Sequence, residues 1–251
     1  MRYLFLFFSV LFCFNANAQL LNKKTQFTRA DSLRGSLRPE RTAFDMLKYE
    51  LHLEIDPKAK TIAGYNRIDF EVLENQRIMQ LDLFDNMKID SIVFEGKQLE
   101  YTREYNAVFI DFETKLFKGT QKQLIFYYHG KPIIARNPPW DGGFVFKKDT
   151  NGKPWIAVAV QGTGASLWYP NKDHQSDEPD TAVISLTVPQ DLVAVSNGKL
   201  IQTHKETNDD ITHLESFIPD QQLQHHLKHW RLCQFYGPVS GFNAGLLGVV
   251  L

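Results

Sequence analysis

Residues 44–204 are written in short runs in which apolar and polar positions alternate. Leu47, Tyr49, Leu51, Leu53 and Ile55 interleave with Lys48, Glu50, His52 and Glu54, and Asp56-Pro57 ends the run. A period of two sends one face inward and the other outward, which predicts a half-buried strand. His52 falls on the polar face and reads as a solvated side chain. The pattern repeats over 61–73 after a short loop, so these two strands are expected to pair as a hairpin.

More runs follow at 78–84, 89–94, 107–112, 123–129, 144–147, 155–160, 182–188, 192–196 and 199–204. Turn formers such as Glu95-Gly96, Lys118-Gly119 and Gly130 separate them. Asn151-Gly152 is the dipeptide favoured in hairpin turns, because both positions tolerate positive φ. Asn197-Gly198 turns the chain into 199–204. No long amphipathic helix, repeat or low-complexity run interrupts this pattern. The expected fold is therefore all-β, an antiparallel sandwich or saddle of packed sheets with an irregular C-terminal tail. Ahead of it, 19–43 is polar and basic without periodicity and reads as a flexible lead-in, with at most a turn over 29–34.

One stretch departs from simple alternation. Ile156-Ala157-Val158-Ala159-Val160 is unbroken apolar sequence and reads as a strand buried on both faces. It opens at Gln161 into Gly162-Thr163-Gly164-Ala165-Ser166, then a Trp168-Tyr169-Pro170 corner, then a loop carrying Asp173, His174, Asp177, Glu178 and Asp180. A core strand delivering one amide to a glycine-lined mouth suits a binding pocket, since small residues let a ligand approach the backbone. An ordinary Gly-rich connection between strands fits the same residues. The acidic loop reads as solvated; the spacing of a Ca²⁺ loop is absent. The loop Asn137-Pro138-Pro139-Trp140-Asp141-Gly142-Gly143 either rims the same pocket or is an exposed loop stiffened by proline.

Gln161, then eight residues, then Pro170 and Asp173, with WYPNKDHQSDEPDTA and the later VPQDLVAVSNGKL, resembles the aminopeptidase N and leukotriene-hydrolase family of zinc metallopeptidases. The secreted bacterial members are the most similar. The resemblance covers roughly 44–207 and is specific around 161–180. It implies that 44–212 is the N-terminal β-domain of such an enzyme. It further implies that Gln161, with Gly162 and Gly164 beside it, helps bind the free amino end of a peptide substrate. The amide can accept from an ammonium or donate to a carbonyl.

Composition narrows the partners. The formal charge is −1 with acids and bases interspersed, which leaves no electrostatic footprint for nucleic acid or an anionic membrane. Arg2, an apolar run over 3–14 and Ala16-Asn17-Ala18 form an export signal over 1–18, too short in its apolar part to span a bilayer. The expected product is periplasmic or secreted, begins at Gln19 and has no membrane span after signal cleavage. Cys13 leaves with the signal and Cys233 lies in the tail, so no disulfide framework is expected.

From His213 the character changes. His213, His225, His226 and His229 cluster, glutamine becomes common and alternation stops. His225 and His229 lie one helical turn apart, as in a zinc site, but the order His-His-Leu-Lys-His holds no Glu for a general base. Back-translation offers another account. A shift of one nucleotide permits TWKVSYPINNYNITLNIGDYVNFMDQY from this point, a string that alternates like two strands and resembles the family's continuation. On this reading 213–251 is an out-of-frame tail, the frame having slipped near 208–212.

Hydrolysis in this family requires a His-Glu-x-x-His helix that binds zinc and supplies the general base. No histidine of this chain is followed by glutamate. The expectation is a truncated domain, inactive alone, with no cofactor of its own; zinc belongs to the intact family enzyme. The competing expectations are a free-standing secreted β-sandwich that binds peptide or glycan, and a small His-based metal-binding protein.

Overall fold

The computed structural model describes residues 26–138, 140–160, 162–189, 192–205, 211–218 and 245–249. Two short helices, α1 (Arg29–Gly35) and α2 (Pro39–Thr42), lead into β1 (Phe44–Asp56), β2 (Thr61–Val72), β3 (Gln76–Asp82) and β4 (Met87–Phe94). Then come β5 (Lys97–Gln98), β6 (Glu100–Glu104), β7 (Ala107–Leu116), β8 (Gln121–Gly130), β9 (Gly143–Lys148) and β10 (Pro154–Ala159). The described chain closes with β11 (Thr181–Pro189), β12 (Leu192–Val195), β13 (Lys199–Lys205), β14 (Ile211–Ile218) and β15 (Gly245–Val249).

The fold is all-β, as alternation predicts. One sheet runs β13-β14-β11-β1-β2-β8-β4-β5, a second β12-β15-β10-β9 and a third β3-β7-β6. Most neighbours are antiparallel, including the expected β1–β2 hairpin, in register from Phe44↔Val72 to Asp56↔Thr61. Parallel pairs occur where distant segments meet: β1 with β11, and β15 with both β10 and β12.

A single apolar cluster fills the space between sheets. Leu51, Leu53, Ile68, Phe70, Leu124, Phe126, Ile184 and Leu186 of the large sheet meet Met79, Leu81, Val108, Ile110 and Phe112 of the three-stranded one. Edge-to-face rings add to it, Phe44 with Phe70 at 5.6 Å within the large sheet and Phe94 with Phe112 at 4.9 Å between the two sheets. Such geometry suits the ring quadrupoles.

Several expectations change. Strand β1 bulges between Met46 and Lys48, and Leu47 sits there only half-buried. Phe44 and Met46 are out of phase with Tyr49 and Leu51, yet all four face the core; one extra residue reconciles the two phases. Strand β10 is not closed on both faces: Ile156 and Val158 are buried while Trp155, Ala157 and Ala159 are half-covered. The lead-in holds two short helices, Arg29–Gly35 and Pro39–Thr42, where only a turn was expected. Thr28 and Asp31 form a capping box on α1, Leu33 is buried, and Arg41 on α2 is closed off completely. Strands β5 and β6 carry mostly exposed polar residues and had no alternation to read.

Strand β14 crosses the 212/213 boundary at which the sequence reading ends the domain; its backbone pairs with β11 and β13. Strand β15, from the same tail, lies between β10 and β12. The export signal (1–18), Gln161, Pro139, His225, His226, His229 and Cys233 lie outside the described residues.

Candidate functional site

Strand β10 ends at Ala159, and the chain turns at once. Thr163 and Gly164 both donate their N–H to Val160 O, at 3.1 and 2.9 Å, and a 3-10 turn follows over Ala165–Leu167. Gly162 and Gly164 hold φ of +70° and +92°, a region that suits glycine. Their surroundings differ. At Gly162 a side chain would meet nothing within 4 Å, whereas at Gly164 a Cβ would stand 2.0 Å from Asp173 Oδ2. Gly162 therefore presents open backbone, and Gly164 makes room for a carboxylate of the same fold.

The corner after this turn is anchored by aromatic packing and backbone bonds. Trp168 is fully buried, edge-on to Tyr169 at 4.7 Å, and Tyr169 meets Tyr49 of β1 edge-on at 6.2 Å. Asn66 Nδ2 donates to Pro170 O at 2.9 Å, and the Lys172 N–H donates to Tyr49 Oη at 3.1 Å. Burial pushes the Tyr49 and Tyr169 hydroxyls well up, so both stay neutral and serve as fixed dipoles.

Beneath the turn lies a charged network that sequence spacing did not reveal. Arg41 Nη2 donates to Asp82 Oδ1 at 2.8 Å, with both side chains withdrawn from solvent. Asp82 Oδ2 accepts from the Asp173 N–H at 3.1 Å, and Asp173 Oδ2 accepts from Ser166 Oγ at 2.6 Å. Burial pushes the Asp82 carboxyl up to about 7, against the pull of Arg41 and with a push from Asp173. A second knot joins Lys172 Nζ to Phe44 O at 2.6 Å and to Asp177, which also accepts from the Met46 N–H at 3.1 Å. Asp45 is raised by burial and by the neighbouring Asp177.

The acidic loop thus differs from its reading as solvated. Asp173 and Asp177 point inward as hydrogen-bond acceptors. His174 accepts from Ser176 N–H at Nδ1 (3.0 Å) and so donates from Nε2 to Gly35 O (3.3 Å). Among the described residues no group of three His, Cys, Asp or Glu side chains is placed to hold a metal ion, so these residues do not fit a zinc centre. The 137–143 loop does reach the turn: Gly142 N–H donates to Thr163 Oγ1 at 3.1 Å, while Trp140 stays exposed. His52 stacks on Tyr65 at 4.5 Å and lies 3.4 Å from Glu50, on the outer face of the sheet and away from this turn.

Residues 46–219 match the family described as Peptidase M1 N-terminal domain. The chain belongs to that family. Solved structures share the fold. The M1 zinc metallopeptidase from Deinococcus radiodurans is 18% identical, with 71% of this chain and 40% of that one covered, at a TM-score of 0.57. A variant of it bound to the peptide Tyr-Ser-Ala is 19% identical over 71% and 41%, at 0.58. A two-domain M1 zinc metallopeptidase variant bound to L-arginine is 19% identical over 72% and 41%, at 0.59. The chain spans about two-fifths of the length of these structures (41% in the tripeptide complex). No curated protein matches it. Among the described residues no helix is long and apolar enough to cross a membrane.

Proposed function

We propose that this chain is the N-terminal β-domain of an exported zinc metallo-aminopeptidase, and that Gln161, Gly162 and Gly164 contribute to the pocket for a peptide's free amino end. The observation that carries the reading is the family match over 46–219, with its turn after β10 presenting open backbone at Gly162. Zinc and the general base would reside on a domain following this one in the intact enzyme. The present chain holds no His-Glu-x-x-His motif and hydrolyses nothing by itself. Residues 1–18 direct it to the periplasm or medium, with no membrane span once they are removed and no nucleic-acid partner. The sequence from His213 to Leu251 is read out of frame.

The test is to sequence the locus, restore the frame near 208–212 and express the whole product. The expected result is a zinc-dependent aminopeptidase whose His-Glu-x-x-His helix follows within about 200 residues, the length of one further domain. In that enzyme Gln161→Ala raises KM for peptides with a free amino end. A locus with no such motif in any frame overturns the reading.

A further inference from the structure

The turn at Gly162–Gly164 is held from a segment that lies ahead of the family-matched residues 46–219. Helix α1 is only seven residues long, too short to stand alone in water, so its place depends on tertiary contacts. It has several. Arg29 forms a two-pronged pair with Glu104 of β6, both bonds 2.8 Å, and Leu33 is buried. Leu33 O accepts from Arg41 Nη2 at 3.1 Å and from Gln80 Nε2 at 3.0 Å. Gly35 O accepts from His174. Between these anchors Arg34 Nη2 donates to Thr163 O at 2.6 Å and lies 3.4 Å from Gly162 O.

We infer that Arg34 is a positioning residue: α1 is a strap that holds the site turn through its outward carbonyls. Other ties reach the turn through different groups: Val160 O beneath the Thr163 and Gly164 N–H, Gly142 N–H on the Thr163 hydroxyl, and the Asp173 carboxylate against Gly164. A guanidinium is suited to this place, because one terminal nitrogen carries two N–H donors and can serve two successive carbonyls. With the carbonyls of 162 and 163 drawn toward α1, the peptide planes of the turn are fixed and the open side of Gly162 keeps one orientation. The charge of Arg34 is also directed at carbonyls, which limits its repulsion of a substrate ammonium. The functional meaning of the strap rests on the proposed role of this turn; the hold itself does not.

The test uses the full chain without ligand. Amide hydrogen exchange is followed in the peptide covering 162–168, for wild type, Arg34→Ala, Arg34→Met and Arg34→Lys. Ala and Met are expected to speed exchange there about tenfold, the factor that about 1.4 kcal/mol of lost hold represents. Lys, which can still donate to Thr163 O, keeps most of the protection. Exchange in β1, β2 and β8 stays unchanged. Unaltered exchange at 162–168 in both Ala and Met overturns the strap, as does faster exchange spread through β1 and β2, which marks a general loss of stability. In the frame-restored enzyme, an unchanged KM for Gln161→Ala removes the substrate-pocket reading and leaves the strap standing. A raised KM in Gln161→Ala but not in Arg34→Ala removes the positioning role.

Discussion

Arg41 and Asp82 meet at 2.8 Å with neither side chain open to water. They join a helix placed before the first strand to the end of β3, and through the Asp173 N–H they reach the turn after β10. An isolated charge at either position would carry a desolvation cost that the partner helps to offset, beside Leu33 O on the arginine and the Gln80 amide and Asp173 N–H on the carboxylate.

At pH 8, Arg41→Ala and Asp82→Ala are each expected to destabilise the chain by about 3–5 kcal/mol, because each leaves a buried partner unpaired. The double variant Arg41→Met/Asp82→Leu should cost less than either single change, since no charge is then stranded. Urea unfolding decides it; a single-variant loss under about 1 kcal/mol, the range of exposed pairs, shows the pair to be solvated.

The same carboxyl gives a pH signature. Its value rises from 3.8 to about 7 on folding, so between those limits the folded chain holds a proton that the unfolded chain has released. Its contribution to stability is full at low pH and declines as pH rises through the folded value. Stability measured between pH 4 and 7.5 should carry this downward slope in wild type and lose it in Asp82→Asn. Identical slopes in the two proteins contradict the assignment.

The two glycines of the turn should respond differently. Gly162→Ala meets open space and costs only the left-handed backbone, about 1–2 kcal/mol. Gly164→Ala adds a clash with the Asp173 carboxylate and is expected to cost about 3 kcal/mol or more. Thermal unfolding of the pair tells them apart; equal losses mean that Asp173 yields freely.

Zinc should not be retained. After dialysis from excess metal, the chain is expected to hold far less than one zinc per molecule by elemental analysis. One zinc per chain that disappears in His225→Ala/His229→Ala points instead to the histidine cluster of the tail.

Much of the sheet architecture is legible in order along the chain. Alternation from Lys48 to Ile55 and from Thr61 to Val72 marks two strands of one hairpin, and Asp149–Lys153 closes β9 on β10 around Gly152 at φ +77°. The site is legible only in part. The glycines announce a turn, but nothing in Gly-Thr-Gly distinguishes room left for a ligand from room taken by Asp173. Arg34, Arg41 and Lys172 each read as one more basic residue on a polar stretch, although two of them are buried.

What the sequence determines alone is periodic or adjacent: strands, because side chains alternate across a pleat, and turns, because glycine accepts the positive φ found at Gly96, Gly119, Gly152 and Gly198. What the tertiary structure decides is which distant groups meet, in the low-dielectric interior for one pair and at the surface for another. Asp82 finds Arg41 across 41 positions, and Thr163 finds Arg34 across 129. A charge or a carbonyl carries no record of its partner in the local pattern. Its partner is set by how the elements pack, and for Arg41 and Asp82 burial then makes that choice costly to change.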